Sequence, residues 1–208
     1  PFKNRKEIQQ HIYAMKKYKI NEIFYSLQGE GYFTGVPAIF IRFSGCNLKC
    51  PFCDTEHQTF TEMTAEDVAN EISKYPAYNI VLTGGEPTLF ADKDFIDTIK
   101  GNHYITIETN GTHEVPQGVD WITLSPKFDV CGDMAKVTIP LCDELKVVYN
   151  GQDLSKYDEI QTNLRFLQPM DCGDSEKNKD IIKQTIQACL ENPKWRLSLQ
   201  THKILDIR

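Results

Sequence analysis

The stretch "AIFIRFSGCNLKCPFCDT", residues 38–55, joins an apolar run to three closely spaced cysteines. The run Ala38–Phe43 predicts a buried strand that leads straight into a loop with Cys46, Cys50 and Cys53 in a C-x3-C-x2-C pattern. Thiolates bind soft metals, and such short spacings let one loop wrap a metal centre. The stretch therefore predicts a metal site at the end of a buried strand.

Two metal centres fit this loop. Structural zinc normally takes four ligands, and His57 is the nearest candidate for the fourth, so a Cys3His zinc knuckle is one alternative. The other is a 4Fe–4S cluster held by three thiolates, which leaves one iron free to bind a substrate or cofactor. The spacing, together with Phe52 just before the third cysteine, favours the cluster.

Length, charge and cysteine usage limit the class of protein. The 208 residues fit one compact domain, and the formal net charge of −6 speaks against general binding to nucleic acid. No apolar run approaches the roughly 20 residues of a membrane span, and no secretory signal is visible at the N-terminus. The seven cysteines are an odd number, which argues against a disulfide framework and favours the cytoplasm.

Strands alternate with helices along the chain, which predicts a mostly parallel sheet. Only about ten residues separate "ETNGT" from "WITLSPK", too few for an ordinary crossover helix. Residues 128–143 also lack a clean periodicity. We therefore predict an α/β fold, an incomplete and reduced parallel (β/α) barrel with some crossover helices missing. The further predicted strands are "NIVLTGGEP", "YITIETNGT", "WITLSPK", "ELKVVY", "LRFLQPM" and, as strand or extended tail, "WRLSLQTH".

Three helices and an N-terminal extension complete the prediction. "MTAEDVANEISKY" has Thr64 as N-cap, "DKDFIDTIK" follows, and "SEKNKDIIKQTIQACLEN" is the longest helix. Residues 1–19 form a basic extension before the barrel domain of residues 20–208, and residues 3–19 predict a short amphipathic helix, more simply a solvated appendage than a binding arm. The longest helix carries one apolar stripe of Ile181, Ile182, Ile186 and Leu190.

Polar signals follow the predicted strands, where the site of a parallel sheet lies. After the cysteine loop they are Gly84-Gly85-Glu86, Glu108, Ser125-Pro126-Lys127 and Gln168. Cys189 is predicted to lie in the core, and Cys131, Cys142 and Cys172 are too scattered for a second cluster. The polar residues at the strand ends therefore predict a single functional site.

These motifs resemble the radical S-adenosylmethionine (SAM) superfamily. The pattern C-x3-C-x-aromatic-C after a first barrel strand is typical of it, and "TGGEP" (83–87) resembles its glycine-rich SAM motif. In that superfamily the free iron of the cluster chelates SAM, and an electron from the cluster cleaves SAM to a 5′-deoxyadenosyl radical. Glycine suits the second motif because it lets backbone approach a ligand closely.

The resemblance narrows to the 7-carboxy-7-deazaguanine synthase family and runs from about residue 20 to the end. It implies a lyase that converts 6-carboxy-5,6,7,8-tetrahydropterin to 7-carboxy-7-deazaguanine by hydrogen abstraction, ring contraction and ammonia loss, in queuosine biosynthesis. It also implies Mg2+, a cytoplasmic homodimer and an external one-electron reductant such as a flavodoxin. The matching motifs are "LQGEG" (27–31), "GVPAIFIRFSGC" (35–46), "CDT" (53–55), "TGGEPTL" (83–89), "ETNGT" (108–112), "SPK" (125–127), "ELK" (144–146) and "LQPM" (167–170).

The resemblance implies a role for each matching residue. The cluster ligands are Cys46, Cys50 and Cys53, and Thr55 is the Mg2+ ligand. The substrate-binding residues are Leu27, Gln28, Gly29, Arg42 and Thr83. The SAM-binding residues are Phe52, Cys53, Asp54, Gly84, Gly85, Glu86, Glu108, Ser125, Pro126, Lys127, Gln168, Pro169, Met170 and Asp171.

Several of these roles compete with simpler ones. A guanidinium suits a carboxylated substrate, yet Arg42 also fits a strand-end surface position. Its place in an apolar run predicts burial, and a buried Arg needs an anion. Thr55 could merely cap the loop. "LQTHK" (199–203) resembles the family's C-terminal stretch, which implies that His202 approaches the substrate.

Two other functions remain open at this point. A radical SAM activase that installs a glycyl radical on a partner protein is also small and uses C-x3-C-x2-C, although "LQGEG", "CDT" and Arg42 argue against it. A non-catalytic binding module stabilised by zinc is the other. Metal analysis separates the second from an enzyme, since zinc is colourless and an iron–sulfur cluster is brown.

Overall fold

The computed structural model describes residues 16–53, 55–56 and 59–208. Its strands are β1 (Tyr18–Leu27), β2 (Pro37–Phe43), β3 (Thr61–Met63), β4 (Asn79–Gly84), β5 (Tyr104–Thr109), β6 (Trp121–Leu124), β7 (Glu144–Tyr149), β8 (Leu164–Pro169) and β9 (Trp195–Leu197). Its α-helices are α1 (Ala65–Ile72), α2 (Lys93–Lys100), α3 (Phe128–Cys131), α4 (Ser175–Glu191) and α5 (Thr201–Leu205). Short 3₁₀ helices cover Pro87–Leu89, Gly132–Ala135 and Leu154–Tyr157.

The strands form one sheet in the order β3-β1-β2-β4-β5-β6-β7-β8-β9. From β2 onward all neighbours in this order are parallel. Strand β1 is antiparallel to both β2 and β3. Because the sheet ends at β3 and β9 and does not close on itself, the predicted incomplete parallel barrel is confirmed.

The crossovers between parallel strands are unequal, as the sequence predicts. Helices α1, α2 and α4 connect β2 to β4, β4 to β5, and β8 to β9. In the described chain no helix lies between β5 and β6, and only α3 and 3₁₀ turns lie in the next two connections. No helix in the described ranges has the length and apolar character needed to cross a membrane.

Alternate residues of the strands face opposite sides of the sheet. In β2, Ile39 and Ile41 are fully buried and pack with the apolar residues of α1 and α2. Each such side chain contributes about 1.5–3 kcal/mol when fully buried. Their neighbours Phe40 and Arg42 face the other way and line a cavity. Through the same two-residue alternation, several strands direct polar side chains into the barrel interior.

Helix α1 begins where the sequence predicts. The Asp67 N–H donates to the Thr64 hydroxyl at 3.1 Å, and the Thr64 N–H donates to the Asp67 carboxylate at 2.9 Å. This reciprocal capping box satisfies two backbone donors and contributes about 1 kcal/mol. It fixes the point at which the chain leaves β3 for the helix.

The predicted apolar stripe of α4 is wrong for three of its four members. Ile182, Ile186 and Leu190 are 36%, 41% and 72% exposed. The buried residues of the helix are Thr185 and Ala188. Small side chains let the helix backbone approach the sheet closely, and the Thr185 hydroxyl donates to a backbone carbonyl of the same helix at 2.7 Å. The buried face of α4 therefore carries small side chains instead of the predicted apolar stripe.

Strand β1 is not among the predicted strands. It begins at Tyr18, two residues before the predicted domain boundary, so Tyr18 and Lys19 belong to the sheet and not to an N-terminal helix. Lys16 and Lys17, just before the strand, are not helical either, and the rest of the predicted helix, residues 3–15, lies outside the described residues. Charged and apolar residues follow each other irregularly in β1, and its pairing with β2 contains a bulge between Ile20 and Glu22. This irregularity hides the strand period in the sequence.

Candidate active site

A cavity of about 750 Å³ opens at the carboxyl ends of the parallel strands and continues along their inner face. Its wall contains the cysteine loop, residues at or after the ends of β4 to β8, the turn after β1 and the C-terminal segment. Parallel strands end at one edge of their sheet, so polar signals far apart in the sequence meet here. A cavity of this volume suits a small-molecule ligand.

The predicted site residues share this cavity wall, with one exception among those described. Pro126 does not line it, and Asp54 lies outside the described residues. The common wall shows where the residues lie, and their ligand contacts stay predictions. The predicted residues in the wall are Leu27, Gln28, Gly29, Arg42, Cys46, Cys50, Phe52, Cys53, Thr55, Thr83, Gly84, Gly85, Glu86, Glu108, Ser125, Lys127, Gln168, Pro169, Met170 and Asp171.

The three predicted cluster ligands lie in one loop. The Leu48 N–H donates to Cys46 Sγ at 3.4 Å, and the Cys53 N–H donates to the Cys50 carbonyl oxygen at 3.2 Å. Burial raises the pKa of Cys50 to about 12, although the Lys127 ammonium opposes this shift. Burial also raises the pKa of Cys46. Thiolates in this loop therefore require a positive partner, which a metal centre supplies.

The turn after β4 packs its backbone on the cysteine loop. The Gly85 N–H donates to the Phe43 carbonyl and the Glu86 N–H to the Gly45 carbonyl, both at 3.0 Å. A Cβ atom on Gly85 would lie 1.9 Å from the Gly45 oxygen, and Gly84 has a φ of +113°, which favours glycine. The two segments form one continuous wall, termed here the rim: residues 46–53 with Gly84 and Gly85.

Glu86 supports the rim from within, with only 1% of its surface exposed. Its carboxylate accepts hydrogen bonds from the Thr88 N–H and hydroxyl at 3.1 and 2.6 Å. It also accepts from the Thr109 hydroxyl and the Asn110 N–H, both at 2.7 Å. Four donors engage its two oxygens, so the carboxylate fixes the ends of β4 and β5 relative to each other.

A buried charged cluster lies deeper in the cavity wall and is termed here the floor: Gln28, Glu30, Thr83, Glu108 and Lys146. Lys146 is 5% exposed, and its ammonium donates to Glu30 at 2.5 Å and to Glu108 at 3.2 Å. Burial works to lower the pKa of Lys146, but the carboxylates of Glu108 and Glu30 outweigh it and raise the pKa above its ordinary value. Burial works to raise the pKa of Glu30, and Lys146 holds it below the ordinary value. The ion pair is therefore charged at neutral pH.

Glu108 connects the parts of the floor. It accepts hydrogen bonds from the Gln28 side-chain amide at 3.3 Å and from the Thr83 hydroxyl at 2.9 Å, besides the one from Lys146. The family resemblance places Glu108 with the SAM-binding residues, whereas Gln28 and Thr83 belong to the predicted substrate-binding set. The structure therefore places Glu108 among the predicted substrate-binding residues.

The side chain of Arg42 is 25% exposed and pairs with Glu22 at 2.9 Å, so the expected anion is found. The register of β1 and β2 sets these two residues opposite each other. Arg208 forms a second ion pair with Glu22, and its guanidinium lies 5.0 Å from the centre of the Phe24 ring. Two cations share one carboxylate, which leaves positive charge at this part of the cavity.

Two further charged groups, Lys127 and Asp171, follow strands whose ends are predicted to contact SAM. The Lys127 ammonium donates to the carbonyl and the hydroxyl of Ser125, both at 2.6 Å, and burial lowers the pKa of Lys127. Lys203 donates to Asp171 at 2.9 Å and holds the pKa of that carboxyl well below its ordinary value. Both strand ends thus carry fixed polar groups.

The C-terminal segment packs on the turn after β1. The N–H and the hydroxyl of Thr201 both donate to the Gly29 carbonyl, at 3.0 and 2.8 Å. The Gln200 amide donates to Glu30 at 3.0 Å. His202 lines the cavity, at the end of the chain where the resemblance expects it. The segment thereby closes the cavity beside the floor.

Glu30, Lys146 and Gln200 contribute to the site but have no assigned role in the sequence prediction. Lys146 does carry a signal, because it alternates with the fully buried Leu145 and Val147 in an apolar strand, and an inward charge needs a counter-charge. Gln200 carries none, since its partner lies 170 residues away. Such contacts come only from the fold.

Similar proteins match nearly the whole chain. The Radical SAM superfamily model matches residues 40–127, which include the cysteine loop and the glycine turn. A 7-carboxy-7-deazaguanine synthase of Bacteroides thetaiotaomicron is 53% identical over 191 residues, which cover 91% of this chain and 98% of that protein. One of Neisseria meningitidis is 37% identical and covers 90% of this chain and 92% of its own.

A solved structure gives the same assignment. The crystal structure of QueE from Escherichia coli matches with a TM-score of 0.74 and 31% identity, over 91% of this chain and 96% of that one. Sequence and fold therefore agree over almost the full length, and the predicted resemblance is confirmed. This chain belongs to the 7-carboxy-7-deazaguanine synthase family of the radical SAM superfamily.

Proposed function

We propose that this chain is a radical SAM lyase that converts 6-carboxy-5,6,7,8-tetrahydropterin to 7-carboxy-7-deazaguanine, by hydrogen abstraction, ring contraction and loss of ammonia. The product feeds queuosine and related 7-deazapurine biosynthesis. The observation that carries the proposal is one cavity that joins the three-cysteine rim to a floor of carboxylate, amide and hydroxyl groups. The name and the near full-length identity of the relatives support it.

The rim fits a 4Fe–4S cluster held at three corners. Its thiols line one cavity, the Leu48 N–H points at one sulfur, and the Lys127 ammonium favours the thiolate of Cys50. Zinc would need a fourth ligand, and the candidate His57 lies outside the described residues. When bound, the cluster and SAM supply the radical that abstracts hydrogen from the substrate.

The strand ends around the rim offer groups that suit SAM. Gly84 and Gly85 line the cavity, whereas the Glu86 carboxylate is already engaged by four donors. The carbonyls of this turn are the better acceptors for the amino group of SAM. Lys127 and Ser125 suit its carboxylate and ribose. The adenine would lie between Phe52 to Asp54 on one side and Gln168 to Asp171 on the other.

The floor suits a carboxylated pterin. The 2-amino-4-oxo edge of the ring presents adjacent N–H donors, and the Glu108 carboxylate can accept from both. Gln28 and Thr83 hold this carboxylate in place from two sides. The Arg42 guanidinium fits the 6-carboxylate, which would share Arg42 with Glu22.

Lys146 sets the charge of the floor. Its ammonium contacts both Glu30 and Glu108, and it holds the pKa of Glu30 below the ordinary value. Glu108 therefore serves as an acceptor for the pterin edge. The Gln200 amide donates a hydrogen bond to the second carboxylate oxygen of Glu30, which keeps the side chains of the floor in place before substrate binds.

Further expectations accompany this proposal. Thr55 lines the cavity and offers a hard oxygen to Mg2+, with substrate and water supplying the other ligands. The enzyme works as a cytoplasmic homodimer and takes electrons from a one-electron donor such as a flavodoxin. The odd number of cysteines, seven, supports a reducing compartment.

Anaerobic turnover tests the function. The reconstituted protein is incubated with SAM, Mg2+, dithionite and the carboxylated tetrahydropterin, and the products are read by mass. We expect 5′-deoxyadenosine and a deazapurine together, both abolished in Cys50→Ala. The matched control Cys189→Ala removes a thiol from α4, away from the cavity wall, and should keep both products.

Two results would reject the proposal. A protein that binds zinc and no iron would be the zinc-stabilised module. SAM cleavage without a deazapurine, at saturating pterin, would favour an activase or another radical SAM reaction. The first outcome is visible from metal content and colour before any substrate is added.

A further inference from the structure

A fourth cysteine touches the rim from outside the cavity. Cys131 Sγ lies 3.7 Å from Cys50 Sγ, within the range of a hydrogen bond between sulfur atoms. Cys131 is half-buried and is not part of the cavity wall, whereas Cys50 is. The contact therefore approaches Cys50 from its protein side.

One helical turn fixes this contact. The Cys131 N–H donates to the Lys127 carbonyl at 2.8 Å, which closes the single turn of α3. Residues four apart lie on the same face of such a turn. The ammonium of Lys127 also acts on Cys50, where it favours the thiolate. The turn thus places one cation and one thiol beside the same sulfur atom.

We propose that Cys131 is a positioning residue that donates its S–H to the Cys50 thiolate and raises the reduction potential of the cluster. This inference rests on the proposed function, since it needs a cluster on the rim. Reduction adds negative charge to a cluster and its sulfur ligands, and a hydrogen bond to a ligand sulfur stabilises that charge. A thiol is a weak donor, so the effect is modest.

Two other roles for Cys131 predict different results. As a fourth ligand it would occupy the iron that SAM needs, although it lies behind Cys50 and outside the cavity wall. As a packing residue it would leave the potential unchanged when replaced by a residue of similar size. The experiment distinguishes all three roles.

The test is a redox titration of the reconstituted protein, followed by the electron paramagnetic resonance signal of the reduced cluster. We compare the unmodified protein with Cys131→Ala, Cys131→Ser and Cys189→Ala, each with its iron and sulfide content measured. Loss of the donor in Cys131→Ala should shift the redox equilibrium about threefold toward the oxidised cluster. At 59 mV per tenfold for one electron, this is a shift of about 28 mV to more negative potential.

The serine variant carries the test if the alanine variant loads iron poorly. Its hydroxyl is still a donor, so its potential should lie between those of Cys131→Ala and the unmodified protein, while Cys189→Ala should not change it. Equal potentials in all four proteins would overturn the inference. So would a spectral response to SAM that appears only after Cys131 is replaced, because that would identify a fourth ligand. A protein without any cluster would instead defeat the proposed function.

Discussion

The rim and the floor of one cavity are assembled in opposite ways. The cysteines of the rim lie in residues 46–53, and the glycine turn that completes it follows the neighbouring strand. The floor joins partners that lie 80 and 116 residues apart, Gln28 with Glu108 and Glu30 with Lys146. The cysteine loop of the rim is therefore a local motif, whereas the floor, like the packing of the glycine turn on that loop, exists only once the sheet has formed.

Substitutions in the rim and substitutions in the floor should therefore have different effects. Changes in the rim should act on cluster loading and backbone packing, and changes in the floor on burial of charge and on substrate binding. Four substitutions test this difference between the rim and the floor, and they follow in order of decreasing effect.

Lys146→Met should give the largest loss of stability. It leaves Glu30 and Glu108 in the floor without their cation, and breaking a buried ion pair from one side costs about 3–5 kcal/mol. The free energy of unfolding in urea at pH 7 measures it. Lys93→Met removes a lysine whose pair with Asp97 is more than half exposed, and it should change little. Equal losses in the two variants would mean that the floor is not a buried cluster.

Gly85→Ala should damage the rim. The new Cβ would meet the Gly45 backbone at 1.9 Å, and overpacking of this kind costs about 2–3 kcal/mol. Thermal unfolding and iron content per chain should both fall. The control Gly35→Ala has open space around its Cβ but a φ of +86°, so it should lose only about 1 kcal/mol from strain and keep its iron. A milder effect at Gly85 than at Gly35 would contradict the close packing of the rim.

Arg42→Gln should weaken substrate binding and spare the rim. Loss of a hydrogen bond to a charged group costs about 2 kcal/mol, which is about a 30-fold rise in KM for the pterin. Steady-state kinetics give KM, and iron content should stay unchanged. Arg196→Gln, on the exposed side of β9, is the matched control and should leave KM as it is. A fall in iron content with unchanged KM would place Arg42 with the rim.

The smallest expected effect is a pH dependence of stability that comes from the titration of the Glu30 carboxyl. Burial raises its pKa, but Lys146 more than offsets this and holds it below the ordinary 4.5. A carboxyl with a depressed folded-state pKa adds stability that is present above the unfolded pKa and is lost as the pH falls through the folded pKa. The free energy of unfolding should therefore decrease on acidification below pH 4.5. Glu30→Gln should show a shallower decrease than the exposed control Glu159→Gln, and identical slopes would contradict the ion pair.

Sequence patterns predicted much of the fold because they are local. The capping residue Thr64, the strands with buried alternation and the missing crossover between β5 and β6 can each be inferred from a short window. The same reasoning failed on α4, where the apolar stripe is exposed and small residues are buried. Hydropathy cannot show how closely a helix approaches its sheet.

Site prediction shows the same limit. Nearly every residue that the resemblance named as a site residue lines one cavity. It did not show that Glu86 is held by four protein donors, or that Glu108 lies beside Thr83 and Gln28. Those facts depend on strand register and on side chains that meet across the sheet.

Spacing and hydropathy act over a few residues, and they were enough to predict the three-cysteine loop, the glycine turn and the alternation of parallel strands with helices, but not β1, β3, α3 or α5. Tertiary structure alone decided that Lys146 joins Glu30 and Glu108 and that Cys131 reaches Cys50. Those pairs lie far apart in the chain, and only the register of the sheet and the packing of its connections bring their atoms into contact.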